Sequence, residues 1–204
     1  MTWFGAIITS AVGLAAVGGA MPAMAQLSTN PSFEKGPEFD NGWRRVLLAS
    51  TEIEGWVVDH GNVDIVGTQW QPATGLRSID LNGNRAGRIY QILDTTPGVE
   101  YVVEFALSGN WGGGPTKTLR VTAGAATQLY TVNTASNRGY SMNWASKQFT
   151  FTAGGEFTTL RFASQNKGFW GVAIDDVRVS AVPGPGGVAL LGLAGVVAGS
   201  RRRR

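Results

Sequence analysis

Residues 99–107 read VEYVVEFAL and alternate between two faces. One face is apolar at every position, and it consists of Val99, Tyr101, Val103, Phe105 and Leu107. The opposite face carries both glutamates of the stretch. Successive side chains of a β-strand point to opposite sides, so a period of two predicts a strand with one buried face.

Shorter runs of the same kind recur at 53–58, 78–81, 88–93, 118–121, 148–151 and 158–162. Clusters rich in Gly, Pro and Asn lie between them, at 82–84, 96–98, 112–115 and 153–155, and predict turns. No segment of residues 26–181 has the pattern of an amphipathic helix, which argues against a parallel sheet with crossover helices. The sequence therefore predicts an all-β fold with one antiparallel β-sandwich or jelly roll in residues 26–181.

Charge is concentrated at one end of the 204-residue chain, whose formal net charge is +3. Four of the positive charges are Arg201, Arg202, Arg203 and Arg204. The remaining 13 basic and 14 acidic side chains nearly cancel, so the body offers no basic surface for nucleic acid. The chain has no cysteine, which excludes disulfides and thiolate metal sites.

The first 25 residues have the features of a secretory signal peptide. An apolar, Ala- and Gly-rich run at 3–20 is followed by Ala23-Met24-Ala25, which fits the small-residue pattern of a cleavage site. We expect cleavage between Ala25 and Gln26. A buried N-terminal helix is the alternative.

Residues 182–204 have three parts: Val182-Pro183-Gly184-Pro185, an apolar run at 186–199, and the four arginines. The apolar run is shorter than the ~20 residues of a membrane-spanning helix, so we expect a short hydrophobic helix in transient contact with the inner membrane. The arginines would stay on the cytoplasmic side, which leaves the body outside.

This tail resembles the PEP-CTERM sorting signal of Gram-negative bacteria, with Gly184 where that family has Glu. The resemblance implies an exosortase as partner, removal of the tail, and delivery to the cell surface or extracellular matrix.

Three groups of segments in the body resemble a known family when they are taken together. They are 30–34 with 55–58, 61–70 with 75–83, and 95–101 with 108–110, 142–144 and 174–177. The body resembles the choice-of-anchor C family, relatives of a plant cell-wall family of unknown biochemical function with a galactose-binding-like jelly roll. The resemblance implies an extracellular protein of walls or matrix that binds carbohydrate and has no established catalysis.

Several classes of enzyme are excluded by missing residues. His60 is the sole histidine, so a His-Glu-x-x-His zinc site is impossible, and no Gly-x-Ser-x-Gly motif occurs. Paired carboxylates could hydrolyse glycosidic bonds, and Asp59, Asp64, Asp80 and Glu104 are candidates, but their separation in space decides this. We therefore predict a non-enzyme, with a polysaccharide hydrolase as an alternative.

Tryptophan and nearby polar residues suggest how carbohydrate would bind. Trp111 lies in the glycine-rich segment SGNWGGG, so we expect it to be the most exposed candidate for stacking on a sugar ring. Trp70 is the second candidate, and Asn110 and Asp64 would bind hydroxyl groups. Trp56, in an apolar run, is predicted to be core. Packing is the alternative role for each tryptophan.

A structural calcium ion is predicted from a further resemblance. Some carbohydrate-binding jelly rolls have a similar N-terminal Asn-x-x-Phe-Glu and closing Asp-Asp-Val, and a calcium ion joins their first and last strands. The resemblance implies that Glu34 and Asp176 are ligands of the calcium ion, with Asp175 a further candidate. Their carboxylate oxygens are the donors that a hard cation prefers. The alternative is a surface glutamate and a strand-end aspartate pair without metal.

Carbohydrate binding at the cell surface or in matrix is therefore the predicted function. A structural or adhesion protein of the matrix that does not bind sugar is the alternative.

Overall fold

The structure is a computed structural model that describes residues 25–40 and 42–184. Eleven strands form the body: β1 (Trp43–Leu47), β2 (Val57–His60), β3 (Asn62–Val66), β4 (Ser78–Asp80), β5 (Arg88–Asp94), β6 (Glu100–Gly109), β7 (Thr116–Ala123), β8 (Ala126–Asn133), β9 (Ala145–Thr152), β10 (Phe157–Ser164) and β11 (Val172–Ala181). Within the described residues no helix is long and apolar enough to cross a membrane.

Nearly all of the predicted leader and most of the tail lie outside the described residues. Among them are Pro185, the apolar run at 186–199 for which a hydrophobic helix is predicted, and Arg201 to Arg204. Signal cleavage at Ala25–Gln26 and recognition of the tail therefore stay predictions.

The strands form two antiparallel sheets that pack face to face. The six-stranded sheet has the order β1-β3-β4-β11-β6-β9, and the five-stranded sheet has the order β2-β5-β10-β7-β8. Every pairing within the two sheets is antiparallel. The prediction of an all-β antiparallel sandwich is confirmed.

Alternation along the strands builds the core between the sheets. On β6 the predicted apolar face is buried, and Phe105 packs at ring-centroid distances of 5.3 Å against both Tyr130 and Phe162. Trp56 is buried, as predicted, 5.4 Å from Phe33 and 6.0 Å from Phe162. Aromatic pairs in such tilted or edge contacts add to the stability gained from burial itself.

One predicted strand, at 53–58, is wrong in its first half. The strand begins only at Val57, and the preceding residues form a turn in which Gly55 has a φ of +80°. A left-handed φ suits glycine because it has no Cβ. Ile53 and Trp56 are apolar because they anchor this turn in the core, and not because they alternate along a strand.

The two ends of the body lie side by side. The Leu27 N–H donates to the Val179 carbonyl at 2.8 Å, so the first residues of the body run along its last strand. The Val182 N–H donates to the Glu100 carbonyl, also at 2.8 Å, and ties down the chain just after β11.

Candidate functional site

A polar row crosses the outer face of the six-stranded sheet, the face that points away from the five-stranded sheet. Strand pairing aligns Arg45 on β1 with Asp64 on β3, Asp64 with Asp80 on β4, and Asp80 with Ala173 on β11. Their neighbours in each strand point into the core, so this row must lie on the opposite face.

Loops cover part of this face. Val66, Trp70, Met142 and Ala173 form a second apolar cluster there, apart from the main core. The Trp144 indole N–H reaches across it to donate to the Gln71 carbonyl at 2.9 Å. The uncovered part is a cleft lined by Trp43, Arg45, Asp64, Val66, Gln69, Trp70, Asp80, Gly83, Asn110, Phe169 and Trp170.

An ion pair lies in the floor of the cleft. Arg45 Nε donates to Asp64 Oδ1 at 3.0 Å and Nη2 donates to Oδ2 at 3.2 Å, a bidentate arrangement. Nη2 also donates to the Gly83 carbonyl at 2.8 Å. Burial raises the pKa of Asp64, and the arginine opposes that shift. The pair fixes both side chains and leaves the floor with little net charge.

Asp80 is the most deeply buried acid of the cleft. Its Oδ1 accepts the N–H groups of Asn82 at 2.9 Å and Gly171 at 3.2 Å, and its Oδ2 accepts the Asn110 side-chain amide at 3.0 Å. Desolvation by burial raises the pKa of Asp80 to about 7, and the nearby charge of Asp64 adds to the rise. Asp80 therefore joins the loops at 110 and 171 to the sheet.

Aromatic side chains form the rim of the cleft. Trp43, Phe169 and Trp170 are 42%, 54% and 48% exposed, which is unusual for residues of this size. The Phe169 and Trp170 ring centroids are 6.0 Å apart. The guanidinium of Arg45 lies over the Trp43 ring at 5.2 Å. Flat apolar surfaces thus border a polar floor.

A buried lysine holds the Trp170 loop in place. Lys117 Nζ donates to the carbonyls of Gly112 at 2.7 Å and Trp170 at 2.8 Å, and burial lowers the pKa of Lys117. Gly112 lies under the Trp170 indole, so that a Cβ there would lie 2.4 Å from the ring. The backbone at 112 and the ammonium group together set the position of Trp170.

The predicted sugar-binding residues divide into two groups. Asn110, Asp64 and Trp70 line the cleft. Trp70 is nevertheless 4% exposed, and its indole N–H donates to Ser78 Oγ at 2.8 Å. The expectation that Trp111 is the most exposed tryptophan is wrong, because its ring packs edge-on against Trp70 at 5.8 Å and is half-buried.

Sequence reasoning missed Trp43, Arg45, Phe169 and Trp170. The adjacent aromatic residues Phe169 and Trp170, just before the closing strand, are the available signal for this loop.

The proposed calcium ligands have other contacts in the structure. Glu34 Oε1 accepts the N–H groups of Leu76 at 2.9 Å and Arg77 at 3.0 Å. Asp175 Oδ2 accepts those of Ala73 at 2.8 Å and Thr74 at 2.9 Å. Both carboxylates thus hold the segment 73–77.

Burial raises the pKa of Asp175 to about 7, and Asp176 Oδ1 accepts from Arg178 Nε at 2.8 Å. In residues 25–40 and 42–184 no group of three or more His, Cys, Asp or Glu side chains is arranged to hold a metal ion. The Asp176 N–H also donates to Asp175 Oδ1 at 2.6 Å, so backbone N–H groups already bond to both oxygens of Asp175, and its role as a ligand stays a prediction. The calcium ion stays a prediction that depends on Glu34 and Asp176.

The candidate carboxylates for hydrolysis are dispersed. Asp59 pairs with Arg88 and Arg161 at the other sheet, and Glu104 accepts from Gln148. Only Asp64 and Asp80 are strand neighbours. His60 is exposed at the end of β2, outside the cleft.

Residues 26–180 match the family described as "Protein of unknown function (DUF642)". The chain belongs to this family. The predicted kinship to a plant cell-wall-related family of unknown function is confirmed, while membership of the choice-of-anchor C family and the PEP-CTERM assignment stay predictions.

One curated relative of this DUF642 chain is Halomucin from Haloquadratum walsbyi, which is 33% identical over 180 residues. The match covers 85% of this chain and 2% of Halomucin, so the chain spans only a small part of that protein's length.

Solved structures with a similar fold include modules and enzymes. The CBM22-1 xylan-binding domain from Paenibacillus barcinonensis has a TM-score of 0.50 at 18% identity, covering 81% of this chain and 99% of that domain. An α-L-arabinofuranosidase structure has a TM-score of 0.50 at 11% identity, covering 78% of this chain and 26% of that one. At such identities the DUF642 chain and these proteins share a fold.

Proposed function

We propose that this chain is a carbohydrate-binding protein of the cell surface or extracellular matrix, and that polysaccharide binds in the cleft on the outer face of the six-stranded sheet. The observation that carries the proposal is the exposed aromatic rim above a polar floor. Sugar rings present apolar C–H faces and a circumference of hydroxyl groups, so they are matched by flat aromatic rings beside fixed hydrogen-bonding groups.

The roles of the residues follow from their contacts. Trp43 and Trp170 would stack on sugar faces from opposite sides of the floor. Arg45 and Asp64 hold one another in place and keep further lone pairs and N–H groups for hydroxyls. Asp80 is already bound to three donors, so it would organise the site and would not contact sugar.

The charge of the cleft favours a neutral polysaccharide. The Arg45 and Asp64 charges cancel, and Asp80 holds its proton up to a pH of about 7. A polyanionic polysaccharide would gain little electrostatic attraction from such a floor, and the Asp64 carboxylate would repel it. We therefore expect neutral polysaccharides to bind more tightly than acidic ones.

Export is the second part of the proposal. The signal peptide, the Pro-Gly-Pro motif, the short apolar run and the arginines support transport across the inner membrane and transient anchoring, with an exosortase as partner. The CBM22-1 domain of the same fold is, by its name, xylan-binding, and this supports the choice of ligand.

Binding of the purified full chain to a glycan array tests the carbohydrate proposal. We expect saturable binding that falls at least roughly tenfold, about 1.4 kcal/mol, in Trp43→Ala and in Trp170→Ala. Tyr140→Ala is the matched control, because Tyr140 is 83% exposed and lies outside this cleft. Equal binding by all three variants would place the ligand elsewhere, and an array without signal would favour a structural matrix protein.

A polysaccharide hydrolase is a second candidate because Asp64 and Asp80 are neighbours with different environments, as acid and base pairs in enzymes are. Asp80, however, is 2% exposed, and donors occupy both of its oxygens. Release of reducing sugar from polysaccharide that disappears in Asp64→Asn would support the hydrolase, and no release would support binding alone.

A further inference from the structure

Four strands form the free edges of the two sheets: β1 and β9 in the six-stranded sheet, and β2 and β8 in the five-stranded sheet. An edge strand presents unpaired backbone N–H and C=O groups, which can pair with a strand of another molecule. Proteins usually block such edges with charged side chains, proline, short length, bulges or a covering segment.

Three of the four edges are blocked in this way. β1 has five residues and carries Arg44 and Arg45. β2 has four residues and a bulge, and the backbone at 49 and 50 is hydrogen-bonded to it. β9 carries Lys147, and the Tyr130 hydroxyl of β8 donates to its Gln148 carbonyl.

Among the residues that the structure describes, the fourth edge, β8, has none of these features. Its eight residues, ATQLYTVN, include no charged side chain and no proline. Its pairing with β7 is continuous over all eight residues, without a bulge. Within the described part of the chain β7 is its single strand neighbour.

The register shows which groups face outward. The Thr134 N–H donates to the Pro115 carbonyl at 2.7 Å, so residues 134 and 115 form a hydrogen-bonded pair. This pair lies one position beyond Thr116 and Asn133, the last pair of the β7–β8 ladder. Such pairs recur at every second residue, so residues 126, 128, 130 and 132 bond to β7. The backbone groups of Thr127, Leu129, Thr131 and Asn133 therefore point away from the sheet.

We propose that two copies of this chain associate by antiparallel pairing of β8 with β8, which joins the two five-stranded sheets into one. A second copy of the chain is the partner that fits this edge. A two-fold axis places β8 antiparallel to the β8 of the second copy, so that the outward N–H and C=O groups of the two strands lie opposite one another. Leu129, 56% exposed, then lies beside or diagonal to the Leu129 of the second copy, which buries both.

Electrostatics do not oppose this pairing. On β7, the strand next to β8, the charged side chain on this face is Arg120, which lies opposite Leu129. The two copies of Arg120 would be three strand spacings apart, ~14 Å. That is beyond the screening length of ~8 Å at physiological ionic strength.

This inference goes beyond the proposed function and does not depend on it. A pair of copies would carry two clefts, so that binding to a repetitive polymer would gain from avidity. An edge contact alone is smaller than a standard protein interface, so the dimer should form and dissociate as concentration changes.

Sedimentation velocity of the full chain, over roughly a hundredfold range of concentration, tests the proposal. We expect the weight-average sedimentation coefficient to rise with concentration toward that of a dimer. Leu129→Lys places like charges at the pairing strand. Thr131→Pro removes an outward N–H without loss of a backbone hydrogen bond to β7, and it also removes the side-chain contact between Thr131 Oγ1 and Thr118 Oγ1. Each should weaken association at least roughly tenfold.

Ile92→Lys is the matched control, because Ile92 is 58% exposed on the same face but lies on β5, an interior strand. It should associate as the unmodified chain does. Circular dichroism of each variant verifies the fold. A chain that stays monomeric over the whole range would overturn the proposal, as would association that Leu129→Lys leaves unchanged.

Discussion

The buried carboxyl of Asp80 should make the stability of this protein depend on pH. The folded chain holds a proton on Asp80 up to a pH of about 7, because burial raises its pKa from 3.8. The unfolded chain releases that proton near the ordinary value. Between the two values the folded state binds more protons, so the free energy of unfolding falls as pH rises.

The size of the effect follows from the shift. One pKa unit corresponds to about 1.4 kcal/mol, so a pKa of about 7 in place of 3.8 corresponds to about 4 kcal/mol. This stabilisation is present in full below the unfolded pKa and is lost as pH rises through about 7. Small domains have about 5–15 kcal/mol in total, so the change is measurable.

Urea unfolding from about pH 5 to about pH 8, followed by tryptophan fluorescence, measures this dependence. Asp80→Asn cannot ionise, so its stability should vary less with pH than that of the unmodified chain. Some dependence remains because burial also raises the pKa of Asp175 to about 7. Asp94→Asn makes the same chemical change at an exposed site. A full pH dependence in Asp80→Asn would refute the assignment of the proton to Asp80.

Three further predictions concern the rim, the core and the metal. Gly112→Ala should displace the Trp170 indole, because the new Cβ would lie 2.4 Å from the ring. We expect a lower affinity for sugar with little change in melting temperature, and an unchanged affinity would contradict this packing of Trp170 on Gly112. Trp56→Ala should cost about 3–5 kcal/mol in urea unfolding, since the ring is buried, and a cost below ~1 kcal/mol would argue against its place in the core. Adding calcium to the chelator-treated full chain should raise its melting temperature, and Glu34→Gln should abolish this rise. A melting temperature that calcium leaves unchanged would contradict the predicted calcium site.

The sequence predicted the fold well where strands alternate strongly. β6 was predicted from its period of two, because it contributes a complete face to the core. β1, β3, β8 and β11 escaped prediction. β3 and the first four residues of β11 are buried on both faces, and polar residues such as Asp64 and Asp175 interrupt their apolar pattern. β1 and β8 are edge strands: β1 buries Val46 alone among its five residues, and most of β8 is exposed. A strand that contributes little to the core leaves little apolar pattern to detect.

The site was predicted in part, and the missing part depends on long-range contacts. Asp64 and Asn110 were identified from their residue type beside candidate tryptophans, and both line the cleft. Whether a tryptophan is exposed, however, depends on how separate loops pack. Trp111 is covered by Trp70, and Trp170 is held outward by Lys117, which is 53 positions away in sequence. Local sequence carries no signal for either contact.

The hydrogen bond between Leu27 and Val179 has a consequence for how this domain can be built into larger proteins. Segments joined to the two ends of the body leave it at neighbouring points. The domain can therefore be inserted into a long polypeptide and project from its side, with little increase in the end-to-end length of that polypeptide. Many copies of the domain in one polypeptide would then present their clefts at intervals set by the lengths of the segments between them.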